Sequence, residues 1–237
     1  MNQSPNNLIF KSYSADPKGV SGVTIGILAL QGAFLEHANM LRRFGATPME
    51  VRLPDDLTGL DGLIIPGGES TTIGKLAIQF GLVEPIQQFI QANKPVWGTC
   101  AGMIFLAQEV GATGSGGHVI PPRLGSMDIT VNRNAFGRQV DSFEVDLELS
   151  FATGQPFRAV FIRAPRIEAN GQAVEILARL SDGTPVAVRQ NNLLATAFHP
   201  ELTDDDRLHD YFLTMVKSFS MVKTSTNAIQ EGYHEAN

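Results

Sequence analysis

The first half of the chain alternates short apolar runs with amphipathic segments, and this alternation restricts the possible folds more than any other feature. Residues 23–30 are apolar and rich in β-branched side chains, as expected of a strand buried on both faces. The segment 34–44 has apolar residues at helical spacing, two arginines in its last turn and Gly45 at its end. Further strands are predicted at 49–53, 63–65 and 95–97, and further helices at 70–80, 83–92 and 101–110. This spacing indicates a parallel sheet with helices on both faces.

The second half of the chain has a different pattern, which indicates antiparallel pairing. Residues 111–125 are rich in glycine and proline and are predicted to form a loop. Asn191-Asn192 is predicted to form a tight hairpin turn, because asparagine tolerates positive φ. A last amphipathic helix is predicted at 207–219. The remaining strands are predicted at 143–149, 160–162, 174–180, 186–188 and 193–198.

These patterns predict an α/β fold: a doubly wound, mostly parallel central sheet with helices on both faces and some antiparallel strands in the second half. The chain has 237 residues, of which 43% are hydrophobic, enough for one large domain. Residues 22–222 are predicted to form this single domain. The polar segments 1–21 and 223–237 are predicted to be a flexible N-terminal extension and a flexible C-terminal tail.

Charge and cysteine content limit the partners and the compartment. The formal net charge is -6 and there is no basic run, so neither nucleic acid nor a membrane surface is an expected partner. Residues 1–22 lack the apolar core of a secretory signal, and no segment is apolar over the length of a membrane span. The single cysteine excludes an internal disulfide and fits a reducing compartment. The expected location is therefore the cytoplasm, and the expected partners are small molecules or other proteins.

The single cysteine, Cys100, lies where a predicted strand turns into a predicted helix. Gly98 and Gly102 flank it two residues away on either side. Such glycines suit a strained strand–nucleophile–helix turn, a nucleophile elbow, where larger side chains would collide with neighbouring elements. The start of the helix favours the thiolate, which makes the sulfur reactive near neutral pH. A lone cysteine is more often buried and inert, but this context favours a nucleophile.

A thiolate that attacks an acyl group needs a base, and His199 is the best placed of the five histidines. The others are predicted on a helix surface, in the glycine-rich loop, on the last helix and in the tail, at His37, His118, His209 and His234 respectively. Pro200 favours an extended backbone at His199, and side chains at i and i+2 of an extended chain point the same way. Glu201 can therefore orient the imidazole. A strand-end histidine and an acid before a helix are each ordinary, but with Cys100 they predict a catalytic triad.

The stretch Pro66-Gly67-Gly68-Glu69-Ser70 follows a predicted strand and is the candidate for stabilising an oxyanion. Backbone N–H groups at glycine are open to approach, as a tetrahedral intermediate requires. A tight turn before a helix capped by Ser70 or Thr71 is an equally good interpretation of the same residues. A phosphate cradle is a third interpretation, although Glu69 would repel an anion.

Taken together, these motifs resemble the triad glutaminases, also called class I glutamine amidotransferases. Many members have glutamine four residues after the nucleophile, whereas this chain has Ile104. In this departure the chain resembles one branch of the class, the glutaminase subunits of pyridoxal 5′-phosphate synthase. Five segments resemble the same branch, at 28–32, 66–72, 133–139, 161–165 and 195–202.

The resemblance implies hydrolysis of L-glutamine to L-glutamate and ammonia. The ammonia would pass to a synthase subunit, the protein partner, which assembles pyridoxal 5′-phosphate (vitamin B6) from sugar phosphates. It also implies that docking on the synthase completes the oxyanion hole. The residues that it implies for glutamine binding are Gly67, Gly68, Glu69, Arg133, Ile162 and Arg163. Arginine suits the α-carboxylate of the substrate, although a solvated surface charge is the alternative for both arginines.

In the predicted mechanism, Cys100 attacks the amide carbon and the backbone around Gly67, Gly68 and the elbow stabilises the oxyanion. His199 protonates the leaving ammonia and then activates water against the thioester, while Glu201 holds the imidazole. This chemistry requires no metal and no organic cofactor.

Two other functions compete with this one. A cysteine hydrolase or stress-response protein of the related fold, acting on peptides or aldehydes, often has histidine directly after the nucleophile, where this chain has Ala101. A regulatory or scaffold subunit would have lost the chemistry, and an intact set of Cys100, His199 and Glu201 disfavours that loss.

Overall fold

The computed structural model describes residues 22–111, 121–133 and 142–234, with side chains of the last helix as far as Met221. The predicted N-terminal extension, residues 112–120 of the predicted glycine-rich loop and residues 134–139 of the third family-like segment lie outside these ranges. The same is true of His118 and of the side chain of His234.

The helices in the described ranges are α1 (Phe34–Arg43), α2 (Ser70–Gln79), α3 (Val83–Gln91), α4 (Ala101–Leu106) and α5 (Arg207–His234), with 3₁₀ turns at Pro54–Leu57 and Pro200–Leu202. The strands of the first half are β1 (Thr24–Leu28), β2 (Thr47–Val51), β3 (Gly62–Ile65), β4 (Val96–Thr99) and β5 (Ala107–Gly111). Those of the second half are β6 (Met127–Asn132), β7 (Ser142–Leu147), β8 (Phe157–Ile162), β9 (Arg166–Asn170), β10 (Glu175–Arg179), β11 (Pro185–Gln190) and β12 (Leu193–Thr196).

A seven-stranded sheet forms the centre of the fold, in the order β10-β11-β12-β4-β3-β1-β2. Every pair from β12 to β2 is parallel, whereas β12 pairs antiparallel with β11, and β11 with β10. All residues of β3, β4 and β12 are buried, which is why these strands are continuous apolar runs. The predicted fold class, a mostly parallel sheet with antiparallel strands late in the chain, is confirmed.

The chain reverses its direction across the sheet between β1 and β3. From β1 it crosses through α1 to β2, and from β3 it crosses through α2 and α3 to β4 on the other side. Because such crossovers are right-handed, α1 lies on one face of the sheet and α2 and α3 lie on the other. A crevice opens at the carboxyl ends of the strands at a reversal of this kind, and it is the usual place for a ligand site in open α/β sheets.

Helix α5 packs on the face of the sheet that carries α1. A Cβ atom added to Gly62 of β3 would lie 2.8 Å from Val216 and 3.2 Å from the ring of Phe212, so the helix approaches the sheet closely. The sequence predicted this helix only as far as Phe219, whereas it continues to His234. The apolar stripe ends near Val216, but residues 217–231 contain no proline or glycine that would stop a helix.

Two smaller sheets stand beside the central one, in the order β5-β6-β9 and β7-β8. The predicted helix at 101–110 is wrong in its second half, because α4 ends at Leu106 and β5 begins at Ala107. Strand β5 pairs with β6, which is distant in the sequence, and that pairing satisfies backbone groups that a helix would otherwise satisfy. The sequence analysis also missed β6 and β9. The hairpin at Asn191, with a φ of 54°, is confirmed.

Candidate active site

Cys100 lies at the end of β4, at the first turn into α4, and has a φ of 48°. A Cβ atom at Gly98 would collide with the backbone of Gly102, and one at Gly102 would collide with the Ile65 carbonyl oxygen of β3. The backbone N–H of Cys100 donates to the Thr196 carbonyl oxygen over 2.8 Å. The elbow is therefore held from both sides, and the two glycines are needed because α4 starts in direct contact with the sheet.

His199 follows β12 and is brought to the same edge of the sheet, where its side chain pairs with Glu201. Its Nδ1 lies 2.8 Å from Glu201 Oε1, and both side chains are buried. The backbone of His199 is near-extended, with a φ of -109°, but Glu201 lies in a 3₁₀ turn rather than in the extended chain that the sequence analysis assumed. The turn makes the same pair because it begins at Pro200.

The environment of His199 favours the imidazolium. Burial lowers the pKa of His199, but hydrogen bonding to Cys100 and Glu201 and the charges of these groups outweigh burial and raise it to about 10. Burial raises the pKa of Glu201, but the neighbouring His37 and His199 lower it by more. The result is a charged imidazole between a carboxylate and the sulfur, the arrangement that activates a cysteine nucleophile.

The glycine loop after β3 packs directly on the imidazole. A Cβ atom at Gly67 would collide with the ring of His199 and would lie 3.3 Å from Cys100 Cβ. The N–H of Gly67 donates to Thr99 Oγ1 over 3.0 Å, and its carbonyl accepts from the N–H of Ala33 over 3.2 Å. The Gly67 N–H is therefore engaged with the protein, and the oxyanion role of Gly67 and Gly68 stays a prediction.

Glu69 caps helix α2 and carries a negative charge. Its carboxylate accepts from the N–H of Thr71 over 3.0 Å and from the N–H of Thr72 over 2.6 Å. The predicted cap, Ser70 or Thr71, is therefore wrong, because the side chain of the preceding residue reaches both donors. Burial raises the pKa of Glu69, but these hydrogen bonds and one from the Thr72 hydroxyl lower it to about 2.

A cavity of about 320 Å³ opens beside Cys100 at the carboxyl ends of the strands. It brings together most of the predicted site residues, namely Gly68, Glu69, Cys100, Arg133, Ile162, Arg163 and His199. Gly67 and Glu201 do not line it but pack against His199. The lining residues that the sequence analysis did not assign are Gln31, Ser70, Ala101 and Ile104.

Gln31 is the most informative of these additional residues. Its Oε1 accepts from the N–H of Glu69 over 2.7 Å, and a Cβ atom at Gly68 would collide with the same oxygen. Gln31 joins the loop after β1 to the loop after β3. Gln31 could have been predicted as a site residue, because it follows a buried parallel strand and the carboxyl ends of neighbouring parallel strands meet at one edge of the sheet.

One carboxylate, that of Glu69, and two guanidinium groups, those of Arg133 and Arg163, line the cavity. Arg133 Nη2 lies 3.4 Å from Glu69 Oε1. Arg163 has a φ of 43° and an exposed side chain. Among the residues described, no carboxylate is paired with the Arg163 guanidinium. The cavity therefore presents both a carboxylate and guanidinium groups within a small volume.

His37 and His209 are fully buried in the described part of the chain. The predicted surface position of His37 is wrong. It lies three residues after Phe34 and four before Leu41, on the apolar face of α1, where its polarity misled the prediction.

Nowhere in the described ranges do three or more His, Cys, Asp or Glu side chains cluster in a way that could hold a metal ion. Within the same ranges, no helix combines the length and the apolar character that a membrane span needs.

Comparisons with known proteins identify the family of the chain. The sequence pattern of the SNO glutamine amidotransferase family matches residues 27–218. The pyridoxal 5′-phosphate synthase subunit PdxT of Dehalococcoides mccartyi is 60% identical over 195 residues, which are 82% of this chain and 98% of that protein. The subunit of the same name from Herpetosiphon aurantiacus is 59% identical over 191 residues, 81% of this chain and 99% of that protein.

Solved structures give the same answer. A crystal structure of a glutamine amidotransferase superposes with a TM-score of 0.74 at 50% identity, covering 81% of this chain and 98% of that one. PurLQS from Thermotoga maritima superposes with a TM-score of 0.57 at 16% identity, covering 85% of this chain and 98% of that one, and shares the fold alone. The chain therefore belongs to the SNO glutamine amidotransferase family, and the match extends over the sheet, the elbow and the cavity described above.

Proposed function

We propose that this chain is the glutaminase subunit of a pyridoxal 5′-phosphate synthase. It hydrolyses L-glutamine to L-glutamate and ammonia and supplies the ammonia to a synthase subunit in vitamin B6 biosynthesis. The observation that carries the proposal is that Cys100 and His199 line one cavity and that Glu201 holds His199 from behind, in a chain of a glutamine amidotransferase family. The names of the relatives support the choice of pathway and of protein partner.

In the first half of the reaction, the thiolate of Cys100 attacks the side-chain amide carbon of glutamine. A sulfur–carbon bond forms, and the carbonyl oxygen takes up negative charge. The donors for this oxyanion are the N–H of Gly68 and a backbone N–H of the elbow beyond Cys100, since the N–H groups of Gly67 and Cys100 donate to Thr99 Oγ1 and to the Thr196 carbonyl. The intermediate then expels ammonia, which takes its proton from the imidazolium of His199, and a thioester remains on Cys100.

In the second half, the neutral imidazole of His199 takes a proton from water, and the resulting hydroxide attacks the thioester. The carbon–sulfur bond breaks and its electron pair returns to Cys100 as the thiolate, His199 keeps the proton from water as the imidazolium, and the product leaves as glutamate after its new carboxyl group loses a proton to solvent. Glu201 keeps the imidazole in one tautomer and stabilises its charged form in both halves. Every group that moves a proton belongs to the chain, the substrate or water.

Charge complementarity supports an amino acid as substrate. The low pKa of Glu69, about 2, keeps its carboxylate ionised, so that it attracts an α-ammonium group. Arg133 and Arg163 attract the α-carboxylate through charge-assisted hydrogen bonds. Gly68 and Ile162 line the same cavity as Cys100, and we assign them to the wall of the glutamine site. We propose the cytoplasm as the compartment, since the only cysteine works as a thiolate and needs reducing conditions.

Glutamate release from L-glutamine tests the proposal, measured for the purified chain with and without the synthase subunit. Cys100→Ala is the control, and labelling by a glutamine-like electrophile reports on the sulfur directly. We expect release that depends on Cys100 and rises when the synthase is added, together with selective labelling of Cys100. A folded chain that releases no glutamate in the presence of a competent synthase would favour the scaffold alternative instead.

A further inference from the structure

Behind the triad lies a buried pair of histidines that the mechanism does not use. His37 of α1 and His209 of α5 are fully buried, and His37 Nδ1 lies 3.0 Å from His209 Nε2. On the other side of its ring, His37 Nε2 lies 3.4 Å from Glu201 Oε2 and 3.4 Å from Thr99 Oγ1. The pair therefore reaches the oxygen of the triad carboxylate that His199 does not hold.

The protonation state of the pair follows from burial. Burial lowers the pKa of His37, against the opposing charge of Glu201, and lowers the pKa of His209 well below its ordinary value. Both rings are therefore neutral near pH 7. Two buried imidazoles are less favourable than two apolar side chains of similar size unless their polar atoms are used. The arrangement must therefore be explained by what their nitrogens contact.

The contacts select one tautomer for each ring. A neutral imidazole has one N–H donor and one bare acceptor nitrogen. In the described surroundings, His209 Nδ1 has no hydrogen-bond partner, so the proton of this ring belongs on Nε2, where it is donated to His37 Nδ1. His37 must then carry its own proton on Nε2, which faces Glu201 and Thr99. His209 thereby converts His37 into a donor aimed at the triad.

The N–H donor of His37 faces Glu201 directly and is linked to the glycine loop through Thr99. Glu201 Oε1 holds His199, whereas Oε2 has no hydrogen bond of ordinary geometry within the described part of the chain and faces the His37 donor. Catalytic hydrogen bonds are often long before substrate binds and shorten in the complex. Thr99 Oγ1, the second neighbour of that donor, accepts from the N–H of Gly67. His37 therefore stands where the triad and the loop meet.

We propose that His37, held in one tautomer by His209, is a positioning residue that orients Glu201 toward His199 and links the triad to the Gly67 loop through Thr99. The other ionisable groups facing the pair are His199 beyond Glu201, and Glu36 and Arg43 on α1. The indole of Trp97 meets both rings edge-on, at centroid distances of 5.5 Å to His37 and 4.9 Å to His209, and holds their planes. The expected effect of His37 on turnover rests on the proposed glutaminase function. The expected effect of His37 on the reactivity of Cys100 does not.

The test compares two substitutions that keep different halves of the imidazole. The side-chain amide of His37→Gln can place a donor where Nε2 stood, facing Glu201, whereas that of His37→Asn reaches only the Nδ1 position. The first readout is the rate of Cys100 alkylation by iodoacetamide as a function of pH, without glutamine. The second is kcat and KM for glutamine in the presence of the synthase subunit.

We expect His37→Asn to slow alkylation near pH 7 and to lower kcat, each about tenfold, as for the loss of one hydrogen bond to a charged group. Its alkylation profile should move toward higher pH, because a poorly held Glu201 stabilises the imidazolium less. KM should change less than about twofold, since His37 does not line the cavity. His37→Gln should stay within about threefold of the wild type in both readouts, because it keeps the donor.

Ile86→Ala is the matched control for lost packing, because Ile86 is buried in α3 on the other face of the sheet. It should lower the unfolding midpoint without moving the alkylation profile. A second pair, His209→Gln and His209→Leu, repeats the comparison one step further from the triad, and all rates are expressed per folded molecule. Equal profiles for the donor-keeping and donor-removing variants in both pairs would overturn the proposal. Normal alkylation of the wild type without glutamine turnover would instead contradict only the proposed function.

Discussion

At the scale of single residues, the site depends on backbone conformations that most side chains avoid. Cys100 and Arg163 have positive φ values of 48° and 43°, although both carry a Cβ atom. Such strain persists only where the surroundings hold it, and it is concentrated at functional sites. At Cys100 the surroundings are Gly98 and Gly102, which pack the elbow against the sheet without room for a methyl group. The strain directs the sulfur into the cavity.

Replacing Glu201 with glutamine should lower kcat for glutamine by roughly 10³- to 10⁴-fold, because the amide can donate to Nδ1 and select the wrong tautomer of His199. The substitution also removes one of the contributions that raise the pKa of His199 to about 10. We therefore expect a lower pKa of His199 in NMR titrations. Glu84→Gln, an exposed change on α3, is the control, and unchanged values of both quantities in Glu201→Gln would contradict the assigned role.

The same pKa makes a prediction for stability. The pKa of His199 is raised above its ordinary value of 6.5, so its contribution to stability is complete below pH 6.5 and is lost as pH rises through about 10. Glu201→Gln should therefore lose less stability than the wild type over this range. Urea denaturation at a series of pH values measures the difference.

At the scale of elements, helix ends and turns place the loops of the site. Helix α1 ends at Arg43 and the chain turns at Gly45, which has a φ of 82°, whereas α2 is capped by the carboxylate of Glu69. The Glu69 cap has two roles, since it satisfies the first N–H groups of α2 and supplies negative charge to the cavity. A helix boundary and the negative charge of the cavity therefore depend on one side chain.

Glu69→Ala should lower the free energy of unfolding by about 1 kcal/mol through loss of the cap. Since the pKa of Glu69 is lowered from 4.5 to about 2, its contribution is present above pH 4.5 and is lost as pH falls through about 2. Urea denaturation should therefore show a larger difference from the wild type at pH 7 than at pH 2, where about half of the Glu69 carboxylates are protonated in the folded chain. Glu84→Ala, in the first turn of α3, is the matched control. An equal loss at both pH values would show that the charge of the cap does not contribute.

At the scale of the whole molecule, one reversal in strand order gathers the site from distant parts of the chain. Gln31, the Gly67–Gly68 loop, Cys100 and His199 follow β1, β3, β4 and β12, whose carboxyl ends meet at the same edge. Among the side chains of α5 that are described, which extend to Met221, the last buried one is Val216, and this supports a packed unit that ends near that point. We accordingly propose residues 22–222 as the folded domain.

A chain restricted to residues 22–222 should unfold within about 0.5 kcal/mol of the full chain, as for surface changes far from the core. Its glutamate release in the presence of the synthase subunit should be unchanged. Urea denaturation and the glutaminase assay measure the two quantities. A clearly lower midpoint would assign a stabilising role to the terminal segments, and normal stability with lost turnover would assign them a role in the complex.

Features that depend on near neighbours in the chain could be predicted from local sequence patterns. The fold class was predicted from the apolar runs of β1, β3 and β4. The candidate triad was predicted from the glycines around Cys100 and from the stretch His199-Pro200-Glu201. These features can be predicted because they depend on the backbone conformation and on the spacing of apolar side chains over only a few residues. The family-like segments added Arg133, Ile162 and Arg163, which line the cavity as expected.

Features that depend on contacts between distant parts of the chain became visible only in the folded protein. Strand β5 exists because β6 pairs with it, and His37 is buried because α5 brings His209 against α1. Gln31 joins the cavity because β1 and β3 are neighbours in the sheet. In each case the free energy comes from a contact between residues far apart in the chain, so no local pattern could predict it.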